Sequence, residues 1–326
     1  MRFVLGMIVS MMFCGPAAAQ ANRIVAAIGT APPDLTLQTY HFADANGFYK
    51  QEGIEVKLDA YNGDATAMRA LTAGEADIAV LGLAIPLKAI EAGAKAKVVF
   101  ASAPKMDYLL IAQKGIDSPK QLEGKNVGVS GPGAVSYQVP LLMVKAAGGD
   151  PGKVHFVAVG GSAARTLSLI AKKIDAGVLN TSFASRTTKY DYLHSIADAA
   201  ADLPNFIYVV EVANERTIQQ KRAALQSFVN GTLRGARWAM QNPDAAAKIS
   251  QKILPDVSKD EIEAGLRHFS KTQYYSVDGL LRKEAWDFTV DELVKSGELK
   301  QKMNYADYVL PEFSQAAAKK LEPYKR

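Results

Sequence analysis

Residues 70–79 read ALTAGEADIA, and this stretch decides the fold. Leu71 ends a helical pattern, and Gly74 can adopt the left-handed conformation that closes many helices. Asp77 then leads directly into the apolar run at 78–81. The stretch therefore predicts a helix that turns at once into a buried strand, the unit from which α/β proteins are built.

The same alternation extends outward on both sides. It predicts strands at 23–28, 54–58, 78–81 and 97–100, with helices over 35–50, 64–71 and 86–92 between them. A second series follows, with strands at 108–112, 126–129, 154–159 and 176–179 and helices over 135–147 and 163–172. After a strand at 206–210 the pattern becomes helical. The order predicts α/β architecture with mostly parallel sheets, divided into two lobes.

The two series suggest how the lobes follow one another along the chain. We expect a signal peptide at 1–19, a first lobe made of 20–111 and 209–326, and a second lobe at 112–208. The chain would then cross between the lobes twice, which lets them rotate about a few hinge residues.

The N-terminus has the layout of a cleavable secretion signal. Arg2 precedes an apolar run at 3–14, and Gly15-Pro16 and three alanines at 17–19 follow it. The run is too short to span a bilayer, which takes about 20 apolar residues. We therefore expect a mature protein that begins near Gln20 and is located in the periplasm.

Composition excludes several classes of function. Cys14 is the only cysteine and lies in the predicted signal, so the mature chain would have neither a thiol nucleophile nor a cysteine metal site. The net charge of +5 is diffuse and forms no nucleic-acid-binding stripe. No His-Glu-x-x-His, Gly-x-Ser-x-Gly or P-loop motif occurs. We expect a monomeric non-enzyme that has no catalytic residue, metal or cofactor and binds no nucleic acid.

Two motifs carry a resemblance to a known family. Residues 47–56, GFYKQEGIEV, and the ALTAGEADIA stretch resemble elements of the nitrate/sulfonate/taurine solute-binding family, which also includes pyrimidine-precursor binders. Further matches occur at 82–86, 116–118, 122–129 and 173–176. The resemblance implies a type II periplasmic binding protein fold with the ligand in the interlobe cleft. It also implies that the chain delivers a small molecule to an ABC permease in the inner membrane.

Candidate ligand contacts come from the ends of the predicted strands, because open parallel sheets bind ligands at their carboxyl edge. The set predicted in this way is Thr30, Ala31, Asp64, Leu83, Ala84, Ser102, Gly133, Ala134, Val135, Ser136, Arg165, Asn180 and Thr181. His41, in the first predicted helix, is added as a stacking side chain at the edge of the cleft. The main contacts are expected from the side chains of Asn180 and Thr30 and from backbone N–H groups at 133–136 and around Asp64, because helix N-termini attract anions.

The ligand class is predicted from one departure from the family. Sulfonate and nitrate binders often have Gly-Ser-Thr where this chain has Gly133-Ala134-Val135, so two hydroxyls are missing. The sequence therefore favours a small organic anion of the carboxylate or sulfonate class, provided that Asp64 turns away to cap its helix. The alternatives are an exported enzyme or a ligand-presenting sensor on the same fold, and a pyrimidine-precursor binder.

Overall fold

Two five-stranded sheets form the framework of the protein. The structure is a computed structural model, and it describes residues 22–131 and 135–324. The first sheet contains β1 (Arg23–Ile28), β2 (Glu55–Ala60), β3 (Ile78–Gly82), β4 (Ala96–Ala103) and β10 (Val209–Asn214). The second contains β5 (Leu109–Gln113), β6 (Asn126–Val129), β7 (His155–Ala158), β8 (Ala176–Leu179) and β9 (Leu193–Asp198). We call the parts of the chain built on these sheets lobe A and lobe B. The predicted signal peptide lies outside the described residues.

Helices cover both sheets. Those of the two βα series are α1 (Thr39–Ala45), α2 (Phe48–Gln51), α3 (Asp64–Ala73), α4 (Ala84–Glu91), α5 (Val135–Ala146), α6 (Ser162–Ile170), α7 (Thr181–Ala184) and α8 (Ala199–Asp202). The tail adds α9 (Glu215–Gln220), α10 (Arg222–Gln241), α11 (Pro243–Ile253), α12 (Lys259–Thr272), α13 (Lys283–Lys295), α14 (Tyr305–Tyr308) and α15 (Glu312–Lys320). No helix within 22–131 or 135–324 is both long and apolar enough to cross a membrane.

The two sheets share one topology. Their strand orders are β2-β1-β3-β10-β4 and β7-β6-β8-β5-β9. In each, the first three strands pair in parallel, and the fourth runs antiparallel to both of its neighbours. The prediction of mostly parallel sheets was therefore incomplete: both are mixed, because a strand next to a chain crossing inserts into each one.

Two connecting segments join the lobes side by side. The Tyr208 amide donates to the Pro104 carbonyl (2.8 Å), and the Ala199 amide donates to the Tyr108 carbonyl (2.9 Å). The Leu83 amide, just beyond β3, donates to the Tyr208 carbonyl at 2.9 Å. This double crossing is the type II arrangement that the sequence predicted. The predicted lobe boundaries at 111 and 208 stay predictions.

The helical tail packs mainly on lobe A. The predicted apolar face of α10, from Leu225 to Met240, is buried. The predicted helix over 35–50 is interrupted: a 3₁₀ turn at Leu35–Leu37 precedes α1 and α2, and Gly47 (φ +69°) separates the two helices. Helix α12 reaches lobe B, where Glu261 lies 2.7 Å from the Arg186 guanidinium. The lobes are therefore in contact beside the cleft.

Candidate functional site

A cavity of about 620 Å³ lies between the lobes at the carboxyl ends of the strands. Its walls come from both lobes and from the hinge: Gly29, Gly63, Asp64, Ala65, Gly82, Leu83, Ala84, Ile85, Lys88, Met106, Val135, Gln138, Phe206, Ile207, Tyr208, Thr289, Leu293 and Glu298. Ligand pockets of about 300–1,000 Å³ take organic molecules of drug-like size. The cavity is therefore far larger than a simple inorganic anion requires.

Asp64 is the carboxylate of this cavity and the first residue of α3. Its Oδ2 accepts a hydrogen bond from the Gly82 amide at 3.0 Å. Its Oδ1 packs so closely on Gly29 that a Cβ there would lie 1.9 Å away. Oδ1 has no hydrogen-bond partner among the described residues, and burial raises the pKa of Asp64 to about 6. One carboxylate oxygen is thus held in place, and the other accepts no hydrogen bond from the described residues.

The remaining surface is largely apolar. Met106, Phe206 and Tyr208 form the hinge side, and the Tyr208 ring lies 6.2 Å from that of Tyr108. Burial, followed by the charge of Tyr108, raises the pKa of Tyr208 well above its usual value, so the phenol stays neutral. This wall therefore contributes aromatic side chains and a neutral phenol to the cavity.

Arg165 organises the lobe B side from below the surface. Its side chain is 1% exposed, and Nε donates to the Val178 carbonyl at 2.7 Å. Its terminal nitrogens donate to Ser130 Oγ (2.8 Å), Ser162 Oγ (3.0 Å) and the Gly160 carbonyl. The guanidinium therefore ties together the ends of β6, β7 and β8, and contributes structure rather than a direct contact with the cavity.

Asn180 and Thr181 are also engaged within the protein. Asn180 Oδ1 accepts from Ser162 Oγ (2.7 Å), and its Nδ2 donates to the Asp107 carbonyl (3.2 Å). The Thr181 amide and hydroxyl both donate to Asp107 Oδ1. Burial raises the pKa of Asp107 to about 8 despite these bonds. The amide of Asn180, expected as a principal ligand contact, is thus occupied at both ends.

The structure brings only part of the predicted set to the cavity. Asp64, Leu83, Ala84 and Val135 line it. Gly133 and Ala134 lie outside the described residues. The other predicted residues do not line it: Thr30, Ala31, His41, Ser102, Ser136, Arg165, Asn180 and Thr181.

Three of these have clear structural roles. Ser102 is fully buried, with Oγ 2.8 Å from the Tyr40 hydroxyl and its amide bonded to Glu211. Ser136 Oγ accepts from the Ser130 amide at 2.8 Å. His41 lies on α1, and burial lowers its pKa to about 4, so the imidazole is neutral. Strand-end position predicted Ser102 and Ser136, whereas His41 was predicted from the first helix as a stacking residue; all three lie away from the cavity.

Sequence reasoning missed the hinge and several helical residues, including Lys88 on α4, Gln138 on α5, and Thr289 and Leu293 on α13. Met106, Phe206 and Tyr208 line the cavity from the crossing segments, where no strand-end rule applies. Gln138 lines it from inside α5, and it is 8% exposed. A glutamine within an otherwise apolar helical pattern was the one signal that could have found it. Among the described residues, no group of three or more His, Cys, Asp or Glu could hold a metal ion.

Comparison with known proteins shows which family this chain belongs to. The NMT1/THI5-like family model matches residues 37–246, more than half of the chain. The formylaminopyrimidine-binding protein of Halalkalibacterium halodurans is 27% identical over 227 residues, which cover 67% of this chain and 66% of that protein. The residues matched by the family model include both predicted motifs, 47–56 and 70–79.

Solved structures show the same fold. The periplasmic aliphatic sulphonate binding protein SsuA of Escherichia coli superposes with a TM-score of 0.76 at 14% identity, covering 90% of this chain and 99% of that one. The desulfurization enzyme DSZB superposes with a TM-score of 0.67, also at 14% identity, covering 91% and 99%. The fold therefore occurs in both binding proteins and an enzyme. The family resemblance predicted from the sequence is confirmed: this chain belongs to the NMT1/THI5-like family and has the two-lobed periplasmic binding protein fold.

Proposed function

We propose that this protein is the periplasmic solute-binding component of an ABC importer, and that its cargo is an amino-substituted heterocycle of the pyrimidine-precursor type. The observation that carries the proposal is the cavity at Asp64, enclosed by both lobes and the hinge. Ligand exchange would require the lobes to part, and closure would bury the cargo, as a carrier needs. The formylaminopyrimidine-binding relative supports the class of cargo.

The carboxylate supports a ligand that donates hydrogen bonds. Asp64 Oδ1 is free to accept, and an ionised carboxylate can only accept. The other charged side chains of the cavity, Lys88 and Glu298, form an ion pair with each other. An amino or protonated ring nitrogen would therefore pair with Asp64, while the ring packs against Tyr208 and Phe206.

A small organic anion, the class expected from the sequence, is the second candidate. Helix α5 starts at Val135, which lines the cavity, and the partial positive charge at a helix N-terminus favours anions. An anion in the cavity would, however, lie near the carboxylate of Asp64, and two negative charges repel each other. A non-catalytic role is proposed for either cargo, since no described side chain in the cavity forms a nucleophile–base pair.

Asp64→Asn separates the two classes by the sign of its effect. Purified mature protein would be titrated by calorimetry with 4-amino-5-hydroxymethyl-2-methylpyrimidine and with an alkanesulfonate and a carboxylate of similar size. Loss of the charge should weaken aminopyrimidine binding by roughly 5- to 150-fold. The same change should strengthen binding of either anion.

The matched control is Asp44→Asn, on the exposed surface of α1, which should change neither affinity. Recovery of unaltered ligand by mass spectrometry tests the non-enzymatic role. Tighter anion binding in the variant, with no aminopyrimidine binding by the wild type, would replace the proposed cargo with the second candidate.

A further inference from the structure

A second cavity, of about 500 Å³, lies beside the first between α5 of lobe B and α13 of lobe A. Its walls include Tyr137, Leu141 and Leu142 from α5 and Pro151 from the following turn. At the rim, Lys145 Nζ lies 3.9 Å from a carboxylate oxygen of Glu292 on α13. The apolar space therefore lies between the lobes, as the first cavity does.

The two cavities are adjacent and share two lining residues. Gln138 and Phe206 line both of them, and they are 8% and 4% exposed. The Gln138 amide makes no hydrogen bond to another described residue. The amide atoms are not among the fully buried side-chain atoms, and the side chain lines both cavities. The amide can therefore both donate to and accept from a ligand that reaches this point.

We propose that the cargo occupies both cavities: a heterocyclic head at Asp64, a linking polar atom at Gln138, and an apolar arm between Leu141 and Pro151. This inference rests on the proposed function and deepens it. Each cavity alone falls within the range of about 300–1,000 Å³ that accommodates an organic ligand. A head group without an arm would leave the second cavity empty.

The charges at the rim indicate an uncharged arm. Lys145 and Lys295 both face Glu292, at 3.9 and 2.6 Å, and Asp150 also lines the cavity. Two cations and two carboxylates leave no excess charge to hold an ionic group. The arm is therefore recognised by apolar contact and shape, with an aromatic or aliphatic group of about phenyl size as its chemistry.

A matched pair of probes tests the second cavity. The short probe is 4-amino-5-hydroxymethyl-2-methylpyrimidine, and the long probe is its benzyl ether, which adds an apolar arm through one oxygen. Calorimetry on the wild type should show the ether binding about tenfold more tightly than the alcohol. Leu141→Arg should remove this gain and leave the alcohol unaffected. Gln138→Leu should weaken both probes about fivefold or more.

The control is Leu167→Arg, on lobe B but 68% exposed, which should change neither affinity. An ether that binds no better than the alcohol, or a gain that survives Leu141→Arg, overturns the proposal while the proposed function stands. If the alcohol fails to bind at all, the aminopyrimidine class is wrong. Crystals soaked in benzyl alcohol then decide the cavity separately: density between Leu141 and Pro151 supports the arm site, and its absence overturns it.

Discussion

Helices α3 of lobe A and α6 of lobe B begin at equivalent places in their sheets but with different residues. Asp64 opens α3 and accepts from the Gly82 amide at the end of β3. Ser162 is the first residue of α6, and its Oγ accepts a hydrogen bond from the backbone N–H of Asn180, just after β8, at 3.4 Å. In both lobes the first helical side chain holds the end of a neighbouring strand. The hydrogen bond to the strand end is the same in both lobes, but its acceptor is a carboxylate in lobe A and a hydroxyl in lobe B.

One turn further along, the contrast grows. Ala67 of α3 is fully buried, whereas the equivalent position of α6 is Arg165, whose donors are used within lobe B. Lobe A therefore presents a carboxylate with a free oxygen, and lobe B presents a surface fixed from behind by a cation. Under the proposed function, lobe A would select the ligand chemically and lobe B would provide a rigid wall, which would reduce the ordering required on binding.

Removal of Arg165 should have the largest effect on stability. Arg165→Met removes the hydrogen bonds that the guanidinium donates to the carbonyls of Val178 and Gly160. Each buried polar group left unpaired costs about 1–3 kcal/mol. We expect the free energy of unfolding, measured by urea titration, to fall by about 4 kcal/mol. Arg69→Met on the exposed face of α3 is the control and should stay within about 0.5 kcal/mol. Equal losses in the two variants would refute the buried framework.

Asp64 should give lobe A a pH dependence that Ser162 cannot give lobe B. Its pKa in the folded chain, about 6, exceeds the usual 3.8. The folded state thus binds the extra proton, and this stability is full below about pH 4 and lost as pH rises through 6. Relative to Asp64→Asn, the wild type should lose on the order of 2 kcal/mol between pH 4 and 7.

Burial also raises the pKa of Glu211 to about 7 and that of Asp107 to about 8, so these groups add their own pH dependence to stability. Because both groups are present in Asp64→Asn, the difference between wild type and variant reports on Asp64 alone. Urea titrations at both pH values measure the difference. Parallel pH profiles for the wild type and the variant would show that the folded chain does not perturb this carboxyl group.

Gly29 should be required because of Asp64. In Gly29→Ala the new Cβ would meet Asp64 Oδ1 at 1.9 Å, and overpacking of this kind costs about 1–3 kcal/mol. Gly131→Ala in lobe B, with no described atom within 4 Å of its Cβ, should be nearly neutral. Adding Asp64→Ala should recover most of the loss. Additive effects in this double-mutant cycle, read by thermal unfolding, would contradict the contact.

Ser162→Ala should have the smallest effect. The variant loses hydrogen bonds to Asn180 and Arg165, a net cost of about 1 kcal/mol by urea titration. Ser195→Ala, an exposed serine in β9, is the control and should lie within about 0.5 kcal/mol. A loss as large as that of Arg165→Met would mean that the hydroxyl, rather than the guanidinium, holds lobe B together.

The sequence could predict elements whose signal is local. Strands β1, β6 and β8 coincide with the predicted strands because they are short apolar runs bounded by turn residues. The helix cap at Gly74 is confirmed, with φ +78°. Strand β9, LHSIAD, has a weak alternation and was missed. The antiparallel insertion of β10 depends on pairing with distant strands, which no local pattern records.

The residues of the candidate site also differ in whether the local sequence could predict them. Asp64, Leu83, Ala84 and Val135 follow strands, and the strand-end rule placed them in the cleft. The rule cannot tell whether a side chain faces the cleft or the interior, so it also selected Ser102. Phe206 and Tyr208 lie in a crossing segment that was predicted as strand, and their role depends on how the lobes close.

The insertion of β10 between β3 and β4 has a consequence for biogenesis. The strands of lobe B follow one another from 109 to 198, whereas the sheet of lobe A lacks a central strand until Val209 has emerged. During vectorial synthesis the N-terminal strands therefore have no complete sheet to join, and we expect lobe A to complete its sheet only after lobe B has been made. Under the export proposed for this protein, this delay would help to keep lobe A extended for passage through a translocation channel.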